Sequence, residues 1–107
     1  MRVRHAAAVA LLVPTWAWAG FLSGNGLKQR CSDESVECAA YIMGISDAHD
    51  YFVHFGALAI ACAPREVTVG QMNAIAKRYM EEHPERLHLA ASAIVLSALA
   101  EAFPCKQ

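Results

Sequence analysis

Cys31, Cys38, Cys62 and Cys105 are the only cysteines of the chain, and all four lie downstream of a segment organised like a cleavable export signal. An even thiol count in a short exported chain predicts disulfides. Oxidising compartments preserve them, and a small domain buries too little surface to do without reinforcement. The leader begins with Arg2, Arg4 and His5, continues through the apolar stretch Ala6 to Val13, and ends in Ala17-Trp18-Ala19, the small-x-small pattern of a signal-peptidase site. A retained anchor is the competing reading, but Pro14 interrupts an apolar run already well short of the roughly 20 residues that span a bilayer. Residues 1–19 are therefore expected to be a signal peptide and 20–107 a single domain. Losing Arg2 and Arg4 takes the formal charge from −1 to −3. A mildly acidic chain without a Lys/Arg cluster has no electrostatic footprint for nucleic acid. No later segment approaches a membrane span, so no membrane insertion is expected after cleavage.

The mature sequence reads as an all-α bundle of about four helices. Ser23-Gly24-Asn25-Gly26 is turn-rich and leads into a short helix, Leu27 to Cys31. A long helix follows, with Ser32 or Asp33 as N-cap and Pro64 as its stop. Its apolar stripe runs through Val36, Ala39, Tyr41, Ile42, Ile45, Ala48, Phe52, Phe55 and Ala59, spaced to face a core. Gly44 and Gly56 lie within it and serve either close helix packing or a break that divides the segment. Thr68 and Gln71 form a capping box for the third helix, with Val67 and Met72 as its hydrophobic staple. Val69, Met72, Ile75, Ala76, Tyr79 and Met80 supply its buried face. His83-Pro84 ends that helix and starts the last one, since proline suits a first turn. From Leu87 to Phe103 the last helix is so apolar that it must be largely enclosed.

Helix order constrains the cysteine pairing. With the long helix up, the third down and the last up, Cys62 and Cys105 finish at one end of the bundle. Cys38 belongs at the other, because the 24 positions from Cys38 to Cys62 would span about 36 Å of continuous helix. Cys31 and Cys38 flank a short turn and can meet locally. The favoured pairing is therefore Cys31 with Cys38 and Cys62 with Cys105. Metal ligation is a poorer fit, because there is no Cys-x-x-Cys and no second close pair; no metal or other cofactor is expected.

The candidates for chemistry are few. His49 and His54 stand about 140° apart on a helix and cannot share a metal ion on one face. Asp50 and His54, at i and i+4, suit a surface pair. His83 and His88 do not match His-Glu-x-x-His and read as a helix-junction network. Asp47, beside Ile45 and Ala48, would need a partner if partly buried, and Arg86 is a possible one. Met43, Met72 and Met80 read as core or interface filler. No complete set of nucleophile, base and oxyanion donors can be assembled, so no enzyme is expected.

Several fragments together resemble a known family. They are Phe21-x-Ser23-Gly24-Asn25, Cys31, Cys38-x-x-Tyr41-Ile42-x-Gly44-Ile45-x-Asp47-Ala48, Cys62-x-Pro64-x-x-Val67-Thr68-x-Gly70-Gln71, His83-Pro84-Glu85-Arg86-x-His88-x-x-Ala91 and Ala98-Leu99-x-x-Ala102-Phe103-Pro104-Cys105. Their order and spacing are similar to the Rap/Tai immunity proteins of type VI secretion, across nearly the whole mature chain. The resemblance implies a periplasmic, non-enzymatic homodimer that binds a secreted peptidoglycan amidase and covers its active site, in some members by inserting a loop. Gly44, Asp47, Thr68, Gln71, His83, Pro84, Arg86 and His88 fall in those motifs and read as fold-building. Partner contacts are then expected from turns tethered by disulfides: Asp33, Glu34 and Ser35 in one, Pro64, Arg65 and Glu66 in another, with Glu81 to Arg86 as a third. Acidic residues Asp33, Glu34 and Glu37 would steer a basic enzyme surface or complement a helix dipole. The alternative function is a general periplasmic helper or acid-stress chaperone on the same scaffold, without a cognate toxin. Its motivation is the mature segment's histidines, a residue type whose ordinary charge change falls at mildly acidic pH.

Overall fold

The computed structural model describes residues 21–32 and 35–106, so the leader 1–19 and the acidic pair Asp33 and Glu34 lie outside the described residues. The described residues form four helices and no strands: α1 (Gly24–Arg30), α2 (Val36–His54), α3 (Val69–Glu82) and α4 (Ala91–Ala102), with a 3-10 turn at Pro84–Arg86. The expected all-α bundle is the observed fold. Its cysteines pair as Cys31–Cys38 and Cys62–Cys105, each with Cα atoms 5.0 Å apart.

Each helix start has a physical cause. Ser23 caps α1 by accepting from the Gly26 N–H at 3.1 Å, so the glycine-rich stretch read as a turn is the helix's first turn. Neither expected cap begins α2. Ser35 does, accepting from the Cys38 N–H at 3.2 Å while its hydroxyl donates to the Arg30 carbonyl. One side chain thus joins two helices beside the short disulfide. The capping box of α3 is present in both directions, with Gln71 N–H to Thr68 Oγ1 at 3.1 Å and Thr68 N–H to Gln71 Oε1 at 2.8 Å.

The end of α2 corrects the expected stop at Pro64. The helix finishes at His54 because Gly56 takes φ +103°, a left-handed value that costs glycine no side-chain clash. Gly56 N–H then bonds the Val53 carbonyl at 3.1 Å and Ala57 N–H bonds the Phe52 carbonyl at 2.9 Å, the paired bonds of a Schellman motif. Residues 57–68 run back as an irregular connection to α3. A Cβ at Gly44 would meet nothing within 4 Å, so close packing is not the role of that glycine.

The last helix also starts later than expected. Pro84–Arg86 makes only a 3-10 turn, and α4 begins at Ala91. The N-terminal segment intervenes: Gly24 N–H bonds Leu89 O, Asn25 N–H bonds Leu87 O, and Ala91 N–H bonds Leu22 O, each at 2.8 Å. These bonds satisfy amides at the first turns of both α1 and α4. Ser23 and Ala90 form an isolated antiparallel bridge in the same place. The approach demands glycine, since a Cβ at Gly24 would sit 2.9 Å from the Leu87 backbone. Gly24→Ala is therefore expected to cost about 1–3 kcal/mol through overpacking. Gly26→Ala, whose Cβ meets the movable tip of Leu22, should cost much less; urea unfolding of the two variants checks the contrast.

The core is centred on α4, which packs against α1, α2 and α3. Ala91, Ile94, Val95, Ala98 and Leu99 of α4 are buried against Leu27, Ile42, Ala76, Tyr79, Met80 and Leu87. Both cysteines of the short disulfide belong to that core, whereas Cys62 is exposed. On α2 the buried face is Cys38 and Ile42, continued by half-buried Ile45, Ser46, His49 and Val53. The expected stripe holds at Ile42, buried, and at Ala39, Tyr41, Ile45 and Ala59, half-buried. Val36, Ala48, Phe52 and Phe55 face outward, as does Met43, which was expected to be core or interface filler.

Candidate protein-binding surface

α2 carries exposed apolar side chains as well as buried ones. Its outer face ends in an aromatic group. Tyr51 contacts Phe52 edge-on at 5.4 Å between centroids and Phe55 at 4.7 Å, while His54 meets Phe55 at 5.0 Å. Tyr51, Phe52 and Phe55 keep 59%, 61% and 69% of their surface exposed. Past the Schellman turn, Leu58 and Ile60 are exposed as well. Single exposed apolar residues need no explanation, whereas such a concentration makes these residues a candidate protein-binding surface.

The connection that continues this surface is held at both ends. Cys62 is linked to Cys105, and its N–H bonds the Phe103 carbonyl at 2.9 Å. His49 Nε2 accepts from the Ile60 N–H at 3.0 Å and faces the Ala61 N–H at 3.5 Å. Its Nδ1 lies 3.4 Å from Asp50 Oδ1, and only 10% of the side chain is exposed. Pro64, Arg65 and Glu66 follow as an exposed turn closed by Val67 N–H to Pro64 O at 3.2 Å. Two of the residues expected to touch a partner, Pro64 and Arg65, line a cavity together with Asp50 and Val53 of α2. Ser35, the fourth with a described position, is half-buried at the opposite end of α2 as its cap. The third candidate segment, Glu81 to Arg86, forms the junction between α3 and the 3-10 turn.

Beneath the connection lies a cavity of about 420 Å³ lined by Ser46, His49, Asp50, Val53, Met72 and Leu99 among others. Ser46, His49 and Asp50 resemble a hydrolytic set by residue type, but the geometry differs. Ser46 Oγ donates to Met72 Sδ at 3.5 Å, and the imidazole nitrogen that would take its proton is engaged by backbone N–H groups. The expected Asp50–His54 pair is replaced by Asp50–His49, because His49 faces inward and brings Nδ1 within reach.

At the α3–α4 junction, the His83 ring stacks on buried Tyr79 at 4.3 Å; Nδ1 lies 3.2 Å from Glu85 and Nε2 3.7 Å from Glu101. The Glu85 carboxyl is held below the usual carboxylate range, first by its own backbone N–H and then by His83. Glu82, His83 and Glu101 have donors within 4.8 Å of one another, the one grouping with metal-ligand spacing among the described residues. The junction network expected of His83 is present; His88 is exposed and takes no part in it. Arg86 donates to the Tyr79 hydroxyl at 2.8 Å and does not meet Asp47, which is exposed and needs no partner. Glu37 forms an exposed ion pair with Arg30 at 3.2 Å. Burial pushes the Tyr41 phenol up, with Ser92 partly offsetting it.

His49 was the missed residue, although a signal existed. The series Ile42, Ile45, His49, Val53 has helical spacing and places the imidazole on the inner face. Among the described residues no helix is long and apolar enough to cross a membrane. No curated protein and no solved structure matches the chain. A family model does match, over residues 23–105, from the capping serine of α1 to the last cysteine, and by that extent the chain belongs to the Rap1a immunity proteins.

Proposed function

We propose that this chain is a periplasmic immunity protein, exported by its N-terminal leader. It acts as a non-enzymatic homodimer that binds a type VI secreted peptidoglycan amidase and occludes its active site. The carrying observation is the end of the molecule formed by Tyr51, Phe52, Phe55, Leu58 and Ile60, followed along the chain by the exposed turn Pro64, Arg65 and Glu66. Exposed aromatic side chains on a fixed framework are the usual anchors of tight interfaces. The connection bearing part of this surface is tied down by a disulfide and by His49, so less entropy is lost when it docks. Asp33 and Glu34 would add attraction toward a basic enzyme surface and raise the association rate. Family membership over 23–105 supplies the immunity role; the toxin's chemical class rests on the resemblance of the motifs.

The test begins with the gene beside this one. If it encodes a small exported amidase, the oxidised protein should bind that enzyme with a dissociation constant in the nanomolar range and abolish its hydrolysis of peptidoglycan. Binding without inhibition would remove the occlusion step. No binding to any amidase encoded nearby would remove the specific immunity role, and a monomer by light scattering at binding concentrations would remove the dimer.

A further inference from the structure

We propose that His49 is a proton-gated latch for the segment that carries Leu58 and Ile60. Its neutral imidazole holds the segment on α2, and protonation releases it. The inference deepens the proposed function by giving that docking surface a control, and it rests on that reading only for calling the surface a docking site.

The chemistry is set by which atoms donate. Nε2 receives the Ile60 N–H at 3.0 Å and faces the Ala61 N–H at 3.5 Å, so it serves as an acceptor and carries no hydrogen. The remaining proton of a neutral ring is then on Nδ1, beside Asp50 Oδ1 at 3.4 Å. A second proton goes on Nε2 and turns the acceptor into a donor aimed at two other donors. Neither contact survives, and flipping the ring does not help, because both nitrogens of an imidazolium donate.

Few charges surround the ring. Besides His49, the ionisable groups lining the cavity are Asp50, from α2 itself, and Arg65, from the connection; α3 contributes Met72 and α4 contributes Leu96 and Leu99. Asp50 has an 83% exposed side chain and offers a counter-charge at the solvent side. Arg65 lines the same cavity and is exposed. The movement is bounded, since Cys62 stays attached through Cys105 and the Phe103 carbonyl. Release therefore concerns the stretch from the Schellman turn to Ala61, and it uncovers the apolar lining of Val53, Met72 and Leu99.

Because an imidazolium cannot accept the Ile60 N–H, opening must become more favourable as pH falls, by up to about tenfold per pH unit, the limit for one linked proton. Amide exchange on the oxidised chain, corrected for intrinsic rates, reads this directly at Ile60 and Ala61. Between pH 7.5 and pH 5 their protection should fall in the wild type and stay nearly constant in His49→Gln, whose amide oxygen accepts without titrating. Constant protection in the wild type, or a parallel fall in the variant, overturns the latch. Should His49→Gln fail to fold, the ring 15N shifts of the wild type decide: an unprotonated Nε2 at neutral pH supports the latch, and an Nε2–H tautomer overturns it. Every readout uses the free chain, so loss of the amidase reading would leave this result standing, and the converse.

Discussion

Replacing both Cys62 and Cys105 by alanine is expected to destabilise the fold by about 4 kcal/mol. The bridge closes a loop with a sequence separation of 43, and the chain-entropy relation for a loop of that length gives roughly that value. Packing adds little, because Cys62 is exposed and Cys105 only half-buried. The Cys31–Cys38 bridge has a separation of 7, which corresponds to about 2.5 kcal/mol. Its removal would in addition cost packing, since Cys31 and Cys38 are 1% and 2% exposed. A small domain has only about 5–15 kcal/mol in total, so loss of the longer bridge should leave little margin. Urea unfolding of the oxidised wild type against the double variant measures it. A difference under about 1 kcal/mol would mean that the cross-link hardly restricts the unfolded chain, contrary to the loop-closure account.

The second large effect is on binding, not stability. Phe52→Ala combined with Phe55→Ala should weaken the toxin complex by about a thousandfold while moving the unfolding free energy by less than about 0.5 kcal/mol. Both rings are mostly exposed in the free protein, so their removal opens no cavity, and alanine is a good helix former near the end of α2. In a complex the same rings would be buried, where each aromatic anchor is worth about 2 kcal/mol or more, and two together give that factor. Calorimetric titration with the amidase, beside urea unfolding of the free variant, separates the two quantities. Unchanged affinity would move the binding surface away from this end of α2. A large loss of stability would instead mean that the rings pack within the fold.

The legible parts of the fold were those specified by neighbouring residues. The capping box at Thr68 and Gln71 is a contact between residues three apart, and it forms in the structure as its residue types require. The stop of α3 at His83 follows from Pro84 in the same way. The cysteine pairing was also legible, although the continuous helix invoked for it is not there. α2 ends at His54, and the connection still delivers Cys62 to the end of the bundle where α4 finishes. Helix direction, which decides the pairing, survived the error in helix length.

The misread parts depend on contacts distant in sequence. Pattern alone could not show where the buried part of the α2 stripe stops, because Phe52 follows Ile45 by seven residues and keeps the helical spacing of the buried positions. The limit is set by α3 and α4, which cover the Ile42 side and leave the phenylalanines out. The late start of α4 has a similar cause, since Leu87 and Leu89 give their carbonyls to Gly24 and Asn25, more than sixty positions away. His49 is the clearest case for the functional surface. Its spacing from His54 only excluded a shared metal ion, and the returning chain at Ile60 and Ala61 made it a backbone acceptor.

By itself, then, the sequence determined the helical class, the cap and stop of α3, the two bridges and the family likeness, because each is encoded in residue type and spacing. Tertiary structure decided where the buried part of α2 stops, where the last helix begins and what His49 holds. Those are outcomes of competition among helices for one small core, and the apolar residues left outside it are the ones now available to a partner.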